Sequence, residues 1–338
     1  MRKVQVRMAD IAQKVGVSTV AVSKALSGQK GVSEDTRAQI LAAAEELGYR
    51  YPAEKRRDAI PTGYHIGVVM ASRYLNDNEA FYWKLYREVA AQVQQAGSFT
   101  LLELLSEDDA RAHRLPKLVT ENQAEALMVI GKPPCAYAET LHSVWDRPLV
   151  FLDFYDATIR ADAVLSNSYY GTYALTNLLM NHGHREIAFV GTLLATDSIT
   201  DRYQGYVRAM MEHRLPVRPE WVISDRNAQT GMDIPLVLPE RMPTAFVCNC
   251  DMTAERLIRT LAETGRHVPE DVSVVGFDNF LPNPLGDISL TTYAVDMTEM
   301  AVRAVRNLLD RLAGRPTQQG LQITGGKIVE RNSVGTAK

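Results

Sequence analysis

Residues 8–27 carry two short apolar stripes separated by a glycine, and this pattern fixes what the first fifty residues can become. The stripes consist of Ile11, Ala12, Val15, Val17, Val22, Ala25 and Leu26 at helical spacing. Gly16 stands where the first helix must end and the chain must turn. Ser18 follows as an N-cap, its hydroxyl placed to take an orphan N–H of the next helix. Two short helices joined by a tight glycine turn make a helix-turn-helix, whose second helix enters the DNA major groove. A third helix is expected from Ser33 to Gly48, with Ile40, Leu41, Ala44 and Leu47 as its apolar face. Acids in its first turn suit the positive end of the helix.

Charge follows the same division. Residues 1–58 hold 11 Lys/Arg against 7 Asp/Glu, and the remainder is acidic enough to bring the chain to a net −3. A basic head on an acidic body fits a protein whose head alone meets phosphates. At 338 residues the chain is too long for one ordinary core. It has no apolar run of the ~18–20 residues that span a bilayer, and no secretory signal follows its first residues. Three cysteines, Cys135, Cys248 and Cys250, give no even disulfide framework. These features predict a cytoplasmic protein without a membrane partner.

Residues 50–63 are bracketed by prolines and charged, which marks a linker; Lys55, Arg56 and Arg57 in it suit phosphate contacts. From Tyr64 onward, short apolar runs at 65–70, 99–104, 126–130 and 148–152 alternate with helical stretches near 80–96, 108–121 and 135–144. A second series has runs at 187–190, 245–247 and 272–276, and helices near 169–182, 199–213 and 252–264. Such alternation predicts an α/β architecture with two lobes of doubly wound parallel sheet. Ligands in these folds bind beyond the carboxyl ends of the strands, and between lobes where there are two. The expected division is a head at 1–49, a linker at 50–63 and a two-lobed effector-binding and dimerisation domain at 64–335.

Several motifs in order resemble the lactose-repressor/purine-repressor family of bacterial transcription regulators. They are Ala9-Asp-Ile-Ala through Val17-Ser-Thr-Val-Ala-Val-Ser23, Asn181-His-Gly-His-Arg-Glu-Ile-Ala-Phe-Val-Gly191, Asp201-Arg-Tyr-Gln-Gly-Tyr206, Val268 through Asn279, Leu290-Thr-Thr292 and Glu330-Arg-Asn-Ser333. The resemblance implies a homodimeric allosteric regulator with a periplasmic-binding-protein-like effector domain and a near-palindromic double-stranded operator. It places Thr19, Val20 and Lys24 at base-reading positions, where lysine can donate to guanine and methyl groups can pack on thymine. Ser18, Ser23 and Ser27 are better placed for phosphates. In the linker, Asp58 stands where the family carries a leucine that wedges into the minor groove; an acid there implies an altered central kink, or Ile60 shifted into that role.

In the effector domain, Phe81 and Tyr82 fall where relatives carry a stacking aromatic. Asp153 and Lys132 follow strands. Arg202 and Asp278 match ligand-binding positions of the family, and Arg226 and Asp251 complete the candidate set. Cys250 replaces a common asparagine and Val295 a common glutamine. Acids and arginines suit pairs of hydroxyls, so a small sugar is the expected effector. Lys132, Arg202 and Arg226 leave open an acidic sugar or sugar phosphate, and a purine is a further alternative.

Other chemistries lack residues to carry them. The Cys248-x-Cys250 pair has no partners at metal spacing, and no cofactor is expected. No nucleotide-binding glycine motif or nucleophile elbow is present. A transport binding protein would not carry the basic head, and a sugar-active enzyme would need a recognisable carboxylate pair or nucleophile.

Overall fold

A computed structural model describes residues 8–26, 31–47, 62–75, 81–281, 285–317 and 320–338. Internal contacts divide the chain into two units, Met1–Ile60 and Pro61–Lys338. The expected contacts of Ser27, Arg56, Arg57 and Asp58, and the end of the third helix at Gly48, lie outside the described residues.

In the first unit, α1 (Met8–Val15), α2 (Thr19–Leu26) and α3 (Glu34–Glu46) pack around Ile11, Val22 and Ile40, all fully buried. Gly16 takes the turn with φ +75°, a conformation costly to any residue with a Cβ. Ser18 Oγ accepts from the N–H of Ala21 at 3.1 Å, and Ser33 Oγ from that of Thr36 at 3.2 Å, as the cap reading requires. The apolar face of α3 differs by one position: Leu41 is exposed, and Ala43 joins Ala44 in the core. Small side chains let three short helices approach closely, and Arg37 Nη1 ties α3 to the end of α2 by donating to Ala25 O at 2.7 Å.

The second unit contains two sheets of six strands. The first is ordered β11-β5-β4-β3-β1-β2 and entirely parallel. Its strands are β1 (His65–Ala71), β2 (Phe99–Leu105), β3 (Ala126–Ile130), β4 (Leu149–Leu152), β5 (Asp162–Ser166) and β11 (Leu321–Thr324). The second is ordered β12-β10-β9-β8-β6-β7, with only the β10–β12 pair antiparallel. It comprises β6 (Ile187–Val190), β7 (Val222–Ile223), β8 (Ala245–Cys248), β9 (Ser273–Asp278), β10 (Thr291–Val295) and β12 (Gly326–Val329). β3 and β8 are buried at every position, as strands covered on both faces must be.

Helices sandwich both sheets. On the first, α4 (Phe81–Gln95) contributes Leu85, Val89 and Val93 to one face, where they meet Met300, Ala304 and Leu308 of α11 (Met297–Leu312). On the second, α8 (Ser168–Asn181) and α9 (Asp197–Glu212) cover one face and α10 (Asp251–Glu263) the other. The helix expected near 108–121 is broken into α5 (Glu107–Arg111) and α6 (Lys117–Thr120). Pro116 has no N–H to continue the ladder, and His113 sits at φ +51°. α7 (Cys135–Val144) lies where expected.

The lobes are not consecutive in sequence. The chain passes between them three times, after β5, after β10 and after β11, so that α11 returns to the first lobe. β5 and the return through β10, α11, β11 and β12 carry no separate mark in the alternating pattern; only spatial pairing reveals them. Ser333, fully buried, fastens the C-terminal segment: its hydroxyl donates to Val274 O at 2.6 Å and accepts from Thr291 N at 2.8 Å. His184 has a similar structural task between Thr244 (2.9 Å) and Ser273 (2.8 Å).

Candidate functional site

The parallel strands of both lobes end at one cavity of about 430 Å³. This is the position that strand polarity dictates for a ligand, and the volume suits a small molecule. From the first lobe come Arg73 and Tyr74, directly after β1, Phe81 and Tyr82 on the first turn of α4, and Asp153 after β4. The second lobe supplies Arg202, Arg226, Asn249, Cys250, Thr253, Asp278 and Phe280.

Arg202 is the hub. It projects from α9 and is only 4% exposed. Nη1 donates to Asn249 O at 2.6 Å, Nη2 donates to Asp278 Oδ1 at 3.2 Å, and the guanidinium lies 3.9 Å over the Phe277 ring. Asp278 holds φ +105° and Asp153 φ +66°, left-handed conformations that surrounding structure must impose on non-glycine residues. Asp153 Oδ2 accepts from the Tyr82 hydroxyl at 2.9 Å, and Tyr82 packs against Tyr74 with ring centres 4.3 Å apart.

Arg226 belongs to a second network, joined to the first through Asn249. Nη2 and Nε both donate to Asp225 Oδ2, at 2.7 and 3.1 Å. Asp225, fully buried, also accepts from Thr253 Oγ1, Asn249 Nδ2 and Thr192 N. Burial opposes ionisation of Asp225, yet these donors hold its carboxyl far below the usual range. Arg256 pairs with Asp233 at 3.0 Å and donates to the carbonyls of Asp225 and Ile234. It thereby pins the 225–234 hairpin over one side of the cavity.

Two predicted residues lie off the lining. Lys132 pairs with Asp197 at 2.9 Å, a contact between the first lobe and the start of α9. Asp251, 2% exposed, works behind the wall: Oδ1 accepts from Thr292 Oγ1 at 2.6 Å and Oδ2 from Phe280 N at 2.7 Å, fixing the segment that brings Phe280 to the cavity. Phe81, Tyr82, Asp153, Arg202, Arg226 and Asp278 do meet at the cavity. Arg73, Tyr74, Asn249, Thr253, Arg256 and Phe280 were not singled out from the sequence. Arg73 and Tyr74 had a usable signal in their place directly after the first strand. Arg256 had none, because its role depends on a hairpin distant in sequence. Cys248 is buried, whereas Cys250 is only half-buried and reaches the cavity; both are free thiols. Among the described residues no cluster of three or more His, Cys, Asp or Glu could hold a metal, and no helix is long and apolar enough to cross a membrane.

Burial dominates the carboxyls around Arg202. It pushes Asp153 up to about 6, Asp251 up to about 7 and Asp278 up to about 8, against the pull of Arg202 and nearby donors. The folded protein therefore holds protons that the unfolded chain releases. Stability contributed by these groups is full below about pH 4 and is lost as pH rises through 6 to 8. Thermal unfolding across pH 5–8 is expected to show this decline, and Asp278→Asn to flatten it; an unchanged slope in the variant would remove Asp278 as a source.

In the first unit, Thr19 and Val20 open α2 and are exposed, Val20 at 61%. Ser23 and Lys24 are half-buried on the same helix. Val20 thus has its methyls outside the three-helix core.

Comparison with known proteins agrees with both units. Residues 7–51 match the model of bacterial regulatory proteins of the lacI family, and residues 176–334 that of the periplasmic binding protein-like domain. The chain is 29% identical over 317 residues to the HTH-type transcriptional repressor PurR of Actinobacillus pleuropneumoniae serotype 3 (strain JL03), covering 91% of this chain and 92% of the relative. It is 28% identical to PurR of Yersinia pestis bv. Antiqua (strain Antiqua), over 96% of each. Its fold matches the crystal structure of the lac repressor dimer bound to operator and the anti-inducer ONPF, with TM-score 0.65, 21% identity and coverage of 98% and 100%. A transcriptional regulator CelR–cellobiose complex matches with TM-score 0.67, 18% identity and coverage of 97% and 99%. With a helix-turn-helix head and a ligand-sized cavity where strand ends converge, the chain is similar along most of its length to DNA-binding transcription regulators of the lacI family.

Proposed function

We propose that this protein is a homodimeric repressor whose affinity for a near-palindromic operator is set by a carbohydrate-type effector in the interlobe cavity. The observation that carries the effector class is the pairing of the cavity's cations. Arg202 meets Asp278, Arg226 meets Asp225 and Arg256 meets Asp233, while Arg73 Nη2 donates to Tyr74 Oη at 3.0 Å and Lys132 O at 2.8 Å. Lys132 is closed on Asp197 and off the lining. An acidic sugar or sugar phosphate would have to compete with Asp225 for Arg226 and with Asp233 for Arg256, which favours a neutral ring over an acidic one. Carboxylate and amide acceptors beside aromatic rings suit a hydroxylated ring with C–H faces. Repression and dimerisation are supported by relatives named as repressors and by the lac repressor dimer among structural neighbours. An effector that prefers one lobe arrangement shifts operator affinity by its differential affinity for the two states.

A purine is the second reading, favoured by the relatives named PurR and by the aromatic wall of Tyr74, Phe81 and Tyr82. A thermal-shift screen of mono- and oligosaccharides, uronates, sugar phosphates and purines separates the readings, since a ligand of the native state raises the melting temperature. Sugars are expected to score; stabilisation by purines alone would replace the carbohydrate reading. Operator selection from random duplexes tests the head. Lys24→Ala is expected to cost ~1–3 kcal/mol at one position of each half-site; a uniform loss across all sequences would make Lys24 a phosphate contact.

A further inference from the structure

The carbohydrate reading leaves the effector's charge open, and the two sides of the cavity differ in how charge is balanced. Near the 225–234 hairpin, Arg226 is matched by Asp225 and Arg256 by Asp233. On the other side, Arg202 stands among Asp153, Asp278 and buried Asp251, with Asp197 and Asp201 adding to the negative field at Asp153. The neighbouring Lys132 is closed on Asp197.

Asp153 and Asp278 reach this place from opposite lobes, and both line the cavity. Each uses one oxygen in the hydrogen bonds formed: Asp153 Oδ2 accepts from Tyr82, and Asp278 Oδ1 accepts from Arg202. Nη1 of Arg202 donates to Asn249 O and Nη2 to Asp278 Oδ1, and its buried Nε has no partner among the described residues. One oxygen of each carboxylate is thus left for a ligand, while Arg73, which also lines the cavity, donates to Tyr74 Oη and Lys132 O. A buried charge requires a partner.

We infer that the effector is an amino sugar, a carbohydrate carrying a basic nitrogen whose ammonium sits between Asp153 and Asp278. This inference rests on the carbohydrate reading. Before effector binds, burial keeps a proton on Asp278 up to about pH 8 and on Asp153 only up to about pH 6. An ammonium beside both carboxyls favours their charged forms, so at pH 7.5 its binding releases the proton of Asp278.

Calorimetry of the full chain at pH 7.5 tests this with glucosamine, galactosamine and mannosamine, each beside its neutral hexose and its N-acetyl derivative. At least one amino sugar is expected to bind about tenfold or more tighter than both uncharged counterparts, the scale of one hydrogen bond to a charged group. Asp278→Asn, checked for folding by its melting transition, is expected to narrow that gap to about threefold or less. Repeating the titration in buffers of different ionisation enthalpy is expected to show net proton release. Equal or tighter binding of a neutral or N-acetyl sugar overturns the inference and keeps the carbohydrate reading. Absence of binding by all three amino sugars also overturns it, and stabilisation by purines alone overturns both.

Discussion

Arg202→Ala is expected to abolish the response of operator binding to effector while the head still binds DNA. The side chain is 4% exposed and links Asn249 of one strand end to Asp278 of the next while covering the Phe277 ring. Removing it leaves Asp153, Asp251 and Asp278 without their central cation and opens a void over Phe277. Breaking a buried pair costs ~3–5 kcal/mol, which lowers the melting temperature of the effector domain on the order of 10 °C. Arg202→Lys keeps the charge but not the fork or the flat stacking surface, so only part of the loss is restored. Isothermal titration with the effector found in the screen, together with thermal unfolding, measures both effects. An alanine variant with unchanged effector affinity would remove Arg202 from the site.

Gly205→Ala is expected to destabilise the second lobe, although helix propensity alone favours alanine by ~1 kcal/mol. Gly205 lies inside α9 where it crosses α8, and an added Cβ would press into the Tyr169 carbonyl oxygen and stand 2.9 Å from the Tyr173 nitrogen. Both obstacles are backbone, so one helix must move, and its displacement disturbs Tyr206, Ala209 and Leu175 in the core beneath. Overpacking of this kind costs ~1–3 kcal/mol, enough to outweigh the propensity gain. The midpoint of urea unfolding should fall for Gly205→Ala. A rise would mean that the two helices are not in close contact there.

Lys132 and Asp251 illustrate how far strand-end reasoning reaches. Lys132 does follow β3, and Asp251 does follow β8, but a strand end fixes only the Cα. The lysine turns to Asp197 across the lobes, and the aspartate turns inward to Thr292 and Phe280. Arg226 shows the complementary case: it reaches the cavity, with its charge spent on Asp225, a buried neighbour whose importance its type and position did not reveal.

The sequence by itself determined the three-helix head and the α/β character of the rest. Both follow from local rules: 3.6-residue periodicity, a glycine turn, serine caps and short apolar runs between helices. The position of the ligand cavity also follows, because strand polarity is a property of the alternating pattern. Tertiary structure decided which cations were available, which carboxyls faced one another and how the chain returned through β10, α11, β11 and β12. Charge balance depends on distances between residues such as Asp153 and Asp278, 125 positions apart in the chain. Burial, which pushes those carboxyls upward, exists only once both lobes have closed water out.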